Sequence, residues 1–572
     1  MAARYYSDGV TPLPPTGAPA TALAELTTLA SEQRGEVVDV EAVAASLARA
    51  RVEVHWWDAP TATAGIRAVG GVLTRVADAP RHLRAPTYTA ATDVLLPAIA
   101  AAGDALALPD LVPLFVAAVA GDVSLPTVFD ACLSTTAISA APAPDTPLAT
   151  LAAMAAVYSR STPAAAALLP RLAAALASRA HGLAACEVEP FAAAVCAIAA
   201  SPHRAVAFMT AAAPPLASYL QHAVAAGGTP ATLLLNRALT VAEAYDRQAV
   251  VVGALVDAQV AAVGAAVASL RATLATLPYV PRSTATHLAW LVTAAGYAAA
   301  LAGACNRHGG AATLAAAATL ACDLLARHPD GCAAAAPATI TRLHRLVLST
   351  TAAGCRPSVT QAVLHDLRAA YVTATPTHVS AAQRDVFKRL RSLARDDRWP
   401  GTPQLEVRTA DGLPVDILVR GSGGGGGGDS GTDAGVAAIL ARAPLVVEVD
   451  GPQHAAWAPV QHVGSPVIVA AADTLPAAAR AAAAVDAYAA TLFGDAAPAT
   501  VSTPAAGAPP PPHAALPDGA VIANATLFYR WLLRATGHTV LPISAAEYAA
   551  AIRGKSNAAA AAFLRAKLRA LA

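Results

Sequence analysis

The sequence predicts a mainly α protein: an α-solenoid-like region of helical-hairpin repeats followed by a smaller C-terminal α/β module. Three observations carry this. Apolar residues make up 56% of the 572 residues while aromatics are 5% and charged residues 13%, and alanine-rich chains of this kind pack as closely spaced helices. From about Leu108 to Cys355, Ala/Leu-rich stretches of helical length alternate with short Pro, Thr, Gly or Ser punctuation. Beyond Trp399 the pattern changes to short β-branched runs that end in Gly or Pro.

Within the helical region, Pro residues mark helix starts, because the missing N–H of Pro costs nothing in a first turn. Thr162-Pro163 and Thr229-Pro230 stand just before apolar runs, and further openings are expected after Pro147, at Glu189-Pro190 and at Thr286-His287. The anchors Leu151, Phe191 and Leu233 lie 40 and 42 residues apart, a period suited to two-helix repeats. The next steps, to Leu288 and Leu343, lengthen to 55. Expected divisions are a partly helical region over 1–107, repeats over 108–379 and the α/β module over 380–572.

In the module, Ser380 and Gln383 have the spacing of a capping box that opens RDVFKRLRSLARDDRW as a helix. Strands are expected at LEVRT, LPVDILV, PLVVEVDG and TVLPIS, with VIANATLFYRWLLRATG as a helix stopped by Gly537. Ser544 and Glu547 form a second capping-box pattern, and FLRAKLRALA closes the chain as a basic amphipathic helix. The glycine run over 421–435 lacks the Gly-Lys-Ser/Thr ending of a phosphate-binding loop and reads as a flexible expansion of a hairpin tip. The Pro-rich insertion over 496–519 reads as a loop.

The charge balance excludes a globally basic nucleic-acid binder: 39 basic residues face 38 acidic ones, so any polyanion site must be local. All but three of the basic residues are arginine, the exceptions being Lys388, Lys555 and Lys567. Arginine suits bidentate phosphate contacts, although GC-rich codon usage raises its share too. Seven cysteines without a C-x-x-C pair argue against a disulfide framework and a zinc knuckle, and a reducing compartment is the simpler reading. The mean hydropathy of +0.48 raises the question of a membrane span. The uncharged stretch Leu288–Cys305 is mostly Ala, Gly and Thr, so a buried helix is expected there and no span.

Candidate chemistry gathers in VDILV and VEVDGPQH. Strand alternation points Glu448 and Asp450 the same way, and a neighbouring strand carrying Asp416 would bring three carboxylates together. Arg530, Arg534, Arg553, Lys555, Arg565, Lys567 and Arg569 on the closing helices form a candidate basic surface for phosphates. The order of VDILV, VEVDGPQH, LFYRWLLRATGHTVLPISAAEY and FLRAKL resembles a RAP domain over roughly Ser380 to Ala572. Tyr548 stands where such domains often carry Trp.

The resemblance implies a restriction-endonuclease-like fold and RNA binding, with Gln453 and His454 joining the basic residues as candidate RNA contacts. Helical repeats followed by such a domain are similar to octotricopeptide-repeat and FAST-kinase-like proteins. That similarity implies organellar messenger or ribosomal RNA as partner, together with ribosomal or other ribonucleoprotein subunits. The implied location is the mitochondrial matrix or, alternatively, the chloroplast stroma.

Two alternatives stay open. In a metal-dependent RNA endonuclease, Asp416, Glu448 and Asp450 would hold a divalent ion such as Mg and His454 would serve as acid/base; no cofactor is expected otherwise. Asp450 stands where the best-known nuclease motif of this fold has lysine. In the other, the chain is a scaffold subunit of a particle such as the mitoribosome. The repeats are poor in Arg, Lys, Asn and Gln at helix starts, so no base-reading code is visible.

Overall fold

A computed structural model describes residues 21–31, 39–77, 79–120, 125–135, 138, 146–159, 168–184, 187–201, 205–248, 250–277, 279–328, 330–375, 379–421, 434–450, 455–457, 520–522, 524–552 and 557–571. The described residues are mainly helical, with a small mixed sheet near the C-terminus. The chain divides into two compact units, Met1–Phe208 and Met209–Ala572. Neither residue 108 nor residue 380, where composition shifts, marks the division.

The first unit contains α1 (Thr21–Ser31), α2 (Val40–Glu53), α3 (Ala59–Val76), α4 (Arg81–Ala102), α5 (Leu108–Ala120), α6 (Pro126–Leu133), α7 (Leu148–Tyr158), α8 (Leu169–Arg179) and α9 (Val188–Ala200). Odd-numbered helices pack in one row, each on the next, and α2, α4 and α6 follow in a second row. This is stacking of helical hairpins, and among the described residues it is already present from Thr21, well before residue 108. Local chemistry sets the starts: Asp39 accepts from the N–H groups of Glu41 and Ala42, and Asp58 accepts from Thr61 N–H with Pro60 in the first turn. Buried Tyr88 on α4 holds the row together, its hydroxyl 3.2 Å from both the Leu73 oxygen of α3 and the Ala117 oxygen of α5.

In the second unit, α10 (Val206–Ala225) starts just before the division and is followed by α11 (Ala231–Arg247), α12 (Gly253–Thr276), α13 (Arg282–Leu301), α14 (Gly310–Ala326), α15 (Pro337–Ala352) and α16 (Gln361–Ala374). Here α11, α13 and α15 form one row, with α12 and α14 packed beside each other in a second. Leu151 and Phe191 are fully buried at matching places in α7 and α9, whereas Leu233 is 41% exposed and Leu234 and Leu235 take its core position. The opening expected at Thr286-His287 is corrected as well. That helix starts at Arg282, directly after Pro281, and is buried almost throughout from Leu288. Among the described residues one helix, α12, is long and apolar enough to cross a membrane, and it packs between α11 and α14.

The module adds α17 (Ala381–Asp396), β1 (Gly401–Arg408), β2 (Pro414–Gly421), α18 (Ala434–Arg442), β3 (Leu445–Asp450), β4 (Ala455–Trp457), β5 (Ala520–Ile522), α19 (Asn524–Ala535), β6 (Thr539–Ser544), α20 (Ala545–Ile552) and α21 (Asn557–Leu571). The capping box at Ser380 and Gln383 is fully formed. The main sheet has the order β1-β2-β3-β6, antiparallel except for the parallel β3–β6 pair, while β4 and β5 pair separately. Between β2 and β3 the chain forms α18, so this link is more than the hairpin tip expected from its glycines. Residues 422–433 of that run and the insertion over 496–519 lie outside the described residues.

Both faces of the sheet are covered, which is why β3 is buried at every position. On one face Leu418, Val446 and Val540 share a core with Phe528 and Leu532 of α19 and with Leu343 and Tyr371 of α15 and α16. On the other, Ile417, Val447 and Ile543 pack with Leu390 of α17, Ile439 of α18 and Leu564 of α21. The sheet thus shares one continuous core with the preceding hairpins, and no boundary falls at residue 380.

Candidate functional site: a buried carboxylate cluster

Glu448 and Asp450 lie two residues apart on β3 and share the face covered by α19. The β2–β3 ladder stops at Ile417↔Val447, and just beyond it the Asp416 carboxylate takes the place of a backbone acceptor. Its Oδ2 accepts from Val449 N–H at 2.7 Å and its Oδ1 from the Gln383 side-chain amide at 2.6 Å. Gln383 is also the capping-box residue of α17, its Oε1 accepting from Ser380 N–H. One side chain therefore ties a helix start to the seam between two strands. The three carboxylates expected to converge do so.

Asp450 accepts from the Arg530 guanidinium of α19, both side chains 9% exposed. Glu448, 8% exposed, feels burial first and then the negative charges of Asp416 and Asp450, which together push its carboxyl well above the usual range; Arg530 partly offsets them. Its Oε1 has no hydrogen-bond partner among the described residues. Tyr529, next to Arg530, donates its hydroxyl to the Pro414 oxygen, and the Arg345 guanidinium of α15 lies 4.7 Å from the centre of its ring. Burial and the neighbouring Glu448 push the Tyr529 phenol well above its usual range.

The Asp416 and Asp450 oxygens are engaged by protein donors, and among the described residues Glu448 Oε1 is not. Both Asp416 oxygens take N–H groups and Asp450 takes a guanidinium, where a metal would need open, convergent carboxylate oxygens. Among the described residues no group of three metal-ligating side chains is arranged to hold an ion. His454, the expected acid/base, and Gln453 lie outside the described residues, as do Arg553 and Lys555. Asp416, Gln383, Asp450 and Arg530 form a hydrogen-bonded network that joins β2, β3, α17 and α19, with Glu448 beside it.

The expected basic surface is corrected in part. Arg530 is an interior residue, and so is Lys567, which is 5% exposed, donates to Glu547 at 3.0 Å and lies over the Phe563 ring. Arg565 forms a two-pronged pair with Asp397 at 2.7 and 3.0 Å. Arg534 and Arg569 are exposed. The reason is helix orientation: α19 turns Arg530 toward the sheet, and α21 turns Lys567 toward α20. Glu547, committed to Lys567, does not complete the second capping box, where Ser544 accepts only from Glu547 N–H, at 3.4 Å. Sequence reasoning passed over the basic residues of α17, although their spacing was visible.

No family model, no curated protein and no solved structure matches this chain. Fold and site define it as a mainly helical chain of two compact units, the second of which ends in a four-stranded mixed sheet that carries a carboxylate cluster.

Proposed function

We propose that this is an organellar RNA-binding protein, most simply mitochondrial, that acts in the processing, stability or assembly of messenger or ribosomal RNA particles. In this reading the C-terminal module, a RAP-like domain, contacts RNA through phosphates and does not cut it. The assignment to an organelle rests on the resemblance of residues 380–572 to a RAP domain. One observation carries the RNA reading. Among the described residues from 379 to 571, nine basic side chains are exposed against one acidic side chain, Asp396, which itself accepts from Arg395. The remaining described carboxylates of the module are half-buried or buried. Among the described residues the module thus exposes mainly positive charge in a chain that is neutral overall, which suits phosphate binding. Against cleavage stands the pairing of Asp416 and Asp450 with protein donors.

The test uses the intact chain, because the hairpins and the sheet share one core and truncation at Ser380 would expose it. Crosslinking in cells followed by sequencing of attached RNA is expected to give discrete sites. Purified protein with labelled RNA and Mg is expected to show salt-sensitive binding and uncut RNA. No crosslinked RNA above background together with no binding at low salt would overturn the reading. Cleavage lost in Asp450→Asn with RNA affinity retained would replace it with the nuclease.

A further inference from the structure

We infer that the outer face of α17 is the track on which the module holds the RNA backbone, with Arg384, Lys388, Arg391 and Arg395 as the phosphate contacts. This inference rests on the RNA-binding reading above and names the residues that would perform it. The four cations are spaced by four, three and four residues, so they stand in one row along the helix, and all four are exposed. At about 1.5 Å of rise per residue the row is roughly 16 Å long.

The helix cannot rotate to place that row elsewhere. Val386, Leu390 and Leu393 on its opposite side are buried against the sheet, and the capping box fixes its start. Two neighbouring acidic residues are drawn away from the row, while Asp396 accepts from Arg395 at its end. Asp385 accepts from the Tyr548 hydroxyl at 2.7 Å and Asp397 is held by Arg565. Lys388 and Arg391 have no carboxylate partner among the described residues. Two like-charge pairs at i,i+4, Arg384 with Lys388 and Arg391 with Arg395, weaken an isolated helix slightly.

The chemistry selects the ligand. A straight row of mostly arginine forks suits successive phosphates of a single strand, which it meets with charge-assisted bidentate bonds. An anionic membrane would ask for an apolar helix face to enter the lipid boundary, and on α17 that face is already in the core.

The experiment compares three intact proteins by anisotropy of a short labelled single-stranded RNA across a salt series. They are the wild type, the variant R384Q/K388Q/R391Q/R395Q and the charge-keeping variant R384K/R391K/R395K. The glutamine variant is expected to melt like the wild type and to bind roughly tenfold or more weakly at physiological salt. The slope of log affinity against log salt should fall by about 0.7 for each lost contact, roughly three in all. The lysine variant should keep most of the slope. Unchanged affinity and slope in the glutamine variant would overturn the track while leaving RNA binding in place. Absence of RNA binding by the wild type would instead remove the reading beneath it. Tighter wild-type binding to phosphatidylserine vesicles, or displacement of RNA by polyglutamate at equal charge, would overturn RNA as the ligand of this face.

Discussion

Arg530 on α19 and Asp450 at the end of β3 pair with each other inside the protein, and the pair locks the helix across the parallel β3–β6 strands. Glu448, two residues back on the same face, sits within the field of both charges. Removing water from carboxylates is costly; one guanidinium on Asp450 and one amide and one backbone N–H on Asp416 offset part of it, while the Glu448 carboxyl is pushed well above the usual range.

Losing one partner of this pair should cost far more than losing both. Arg530→Met leaves the Asp450 charge buried beside Glu448 and should lower stability by about 3–5 kcal/mol. In the double variant Asp450→Leu with Arg530→Met no ion is left buried at this contact, so it should lie closer to the wild type than the arginine variant does. Urea midpoints of the three proteins decide it, and a single variant within about 1 kcal/mol of the wild type would mean that the pair is well hydrated.

Glu448 predicts a loss of stability with rising pH. Its carboxyl is held above the ordinary value of 4.5 in the folded protein, so between 4.5 and that raised value the folded state keeps a proton that the unfolded state has released. Stability therefore falls as pH rises through this window and is fullest below it. Glu448→Gln, which never ionises, should gain on the wild type over the same window and show no gain below it. Denaturant midpoints of both proteins from acid to neutral pH are the measurement.

Much of this was legible in the sequence, and the reasons differ by element. β3 could be read because a strand covered on both faces is a nearly unbroken apolar run, in which Glu448 and Asp450 stand out. Ser380 and Gln383 announced α17 through a local bond pattern that needs no distant partner. Arg530 and Lys567 were misleading because a basic residue on an amphipathic helix looks solvated until its partner, 80 or 20 residues away in sequence, is known. Leu233 failed as a repeat anchor for a related reason. Three leucines in a row, Leu233 to Leu235, leave the choice of inward face to the neighbouring helices.

His344 should shape the acid side of the stability curve. Burial first, opposed by the 2.9 Å hydrogen bond with the Asp411 oxygen and aided by the charges of Arg368, Arg345 and Arg408, pushes its imidazole down to about 4; the ring stacks on Tyr371 at 4.2 Å. Between pH 6.5 and about 4 the unfolded chain binds a proton that the folded one refuses, so stability is lost as pH falls through that window, by on the order of 3 kcal/mol. His344→Gln should flatten this part of the curve. An imidazole titrating near pH 6.5 by NMR in the folded protein would contradict the prediction.

Gly70 tests how closely the hairpins of the first unit approach. In a free helix Gly→Ala is favourable by about 1 kcal/mol, because alanine loses less backbone freedom on folding. At Gly70 on α3 an added Cβ would stand 2.7 Å from the Leu114 nitrogen and 3.0 Å from Pro113 on α5. Backbone atoms of a packed helix cannot swing aside as the end of a long side chain can, so the two helices would have to separate. Gly70→Ala should therefore reverse the usual sign and destabilise by about 1–3 kcal/mol. The loss should appear as a lower melting midpoint and as faster amide exchange along α3 and α5. Exchange in α15 and α16 should be unchanged, since those helices belong to the other unit. A raised melting midpoint would mean that α3 and α5 stand farther apart than the Gly70 contact requires.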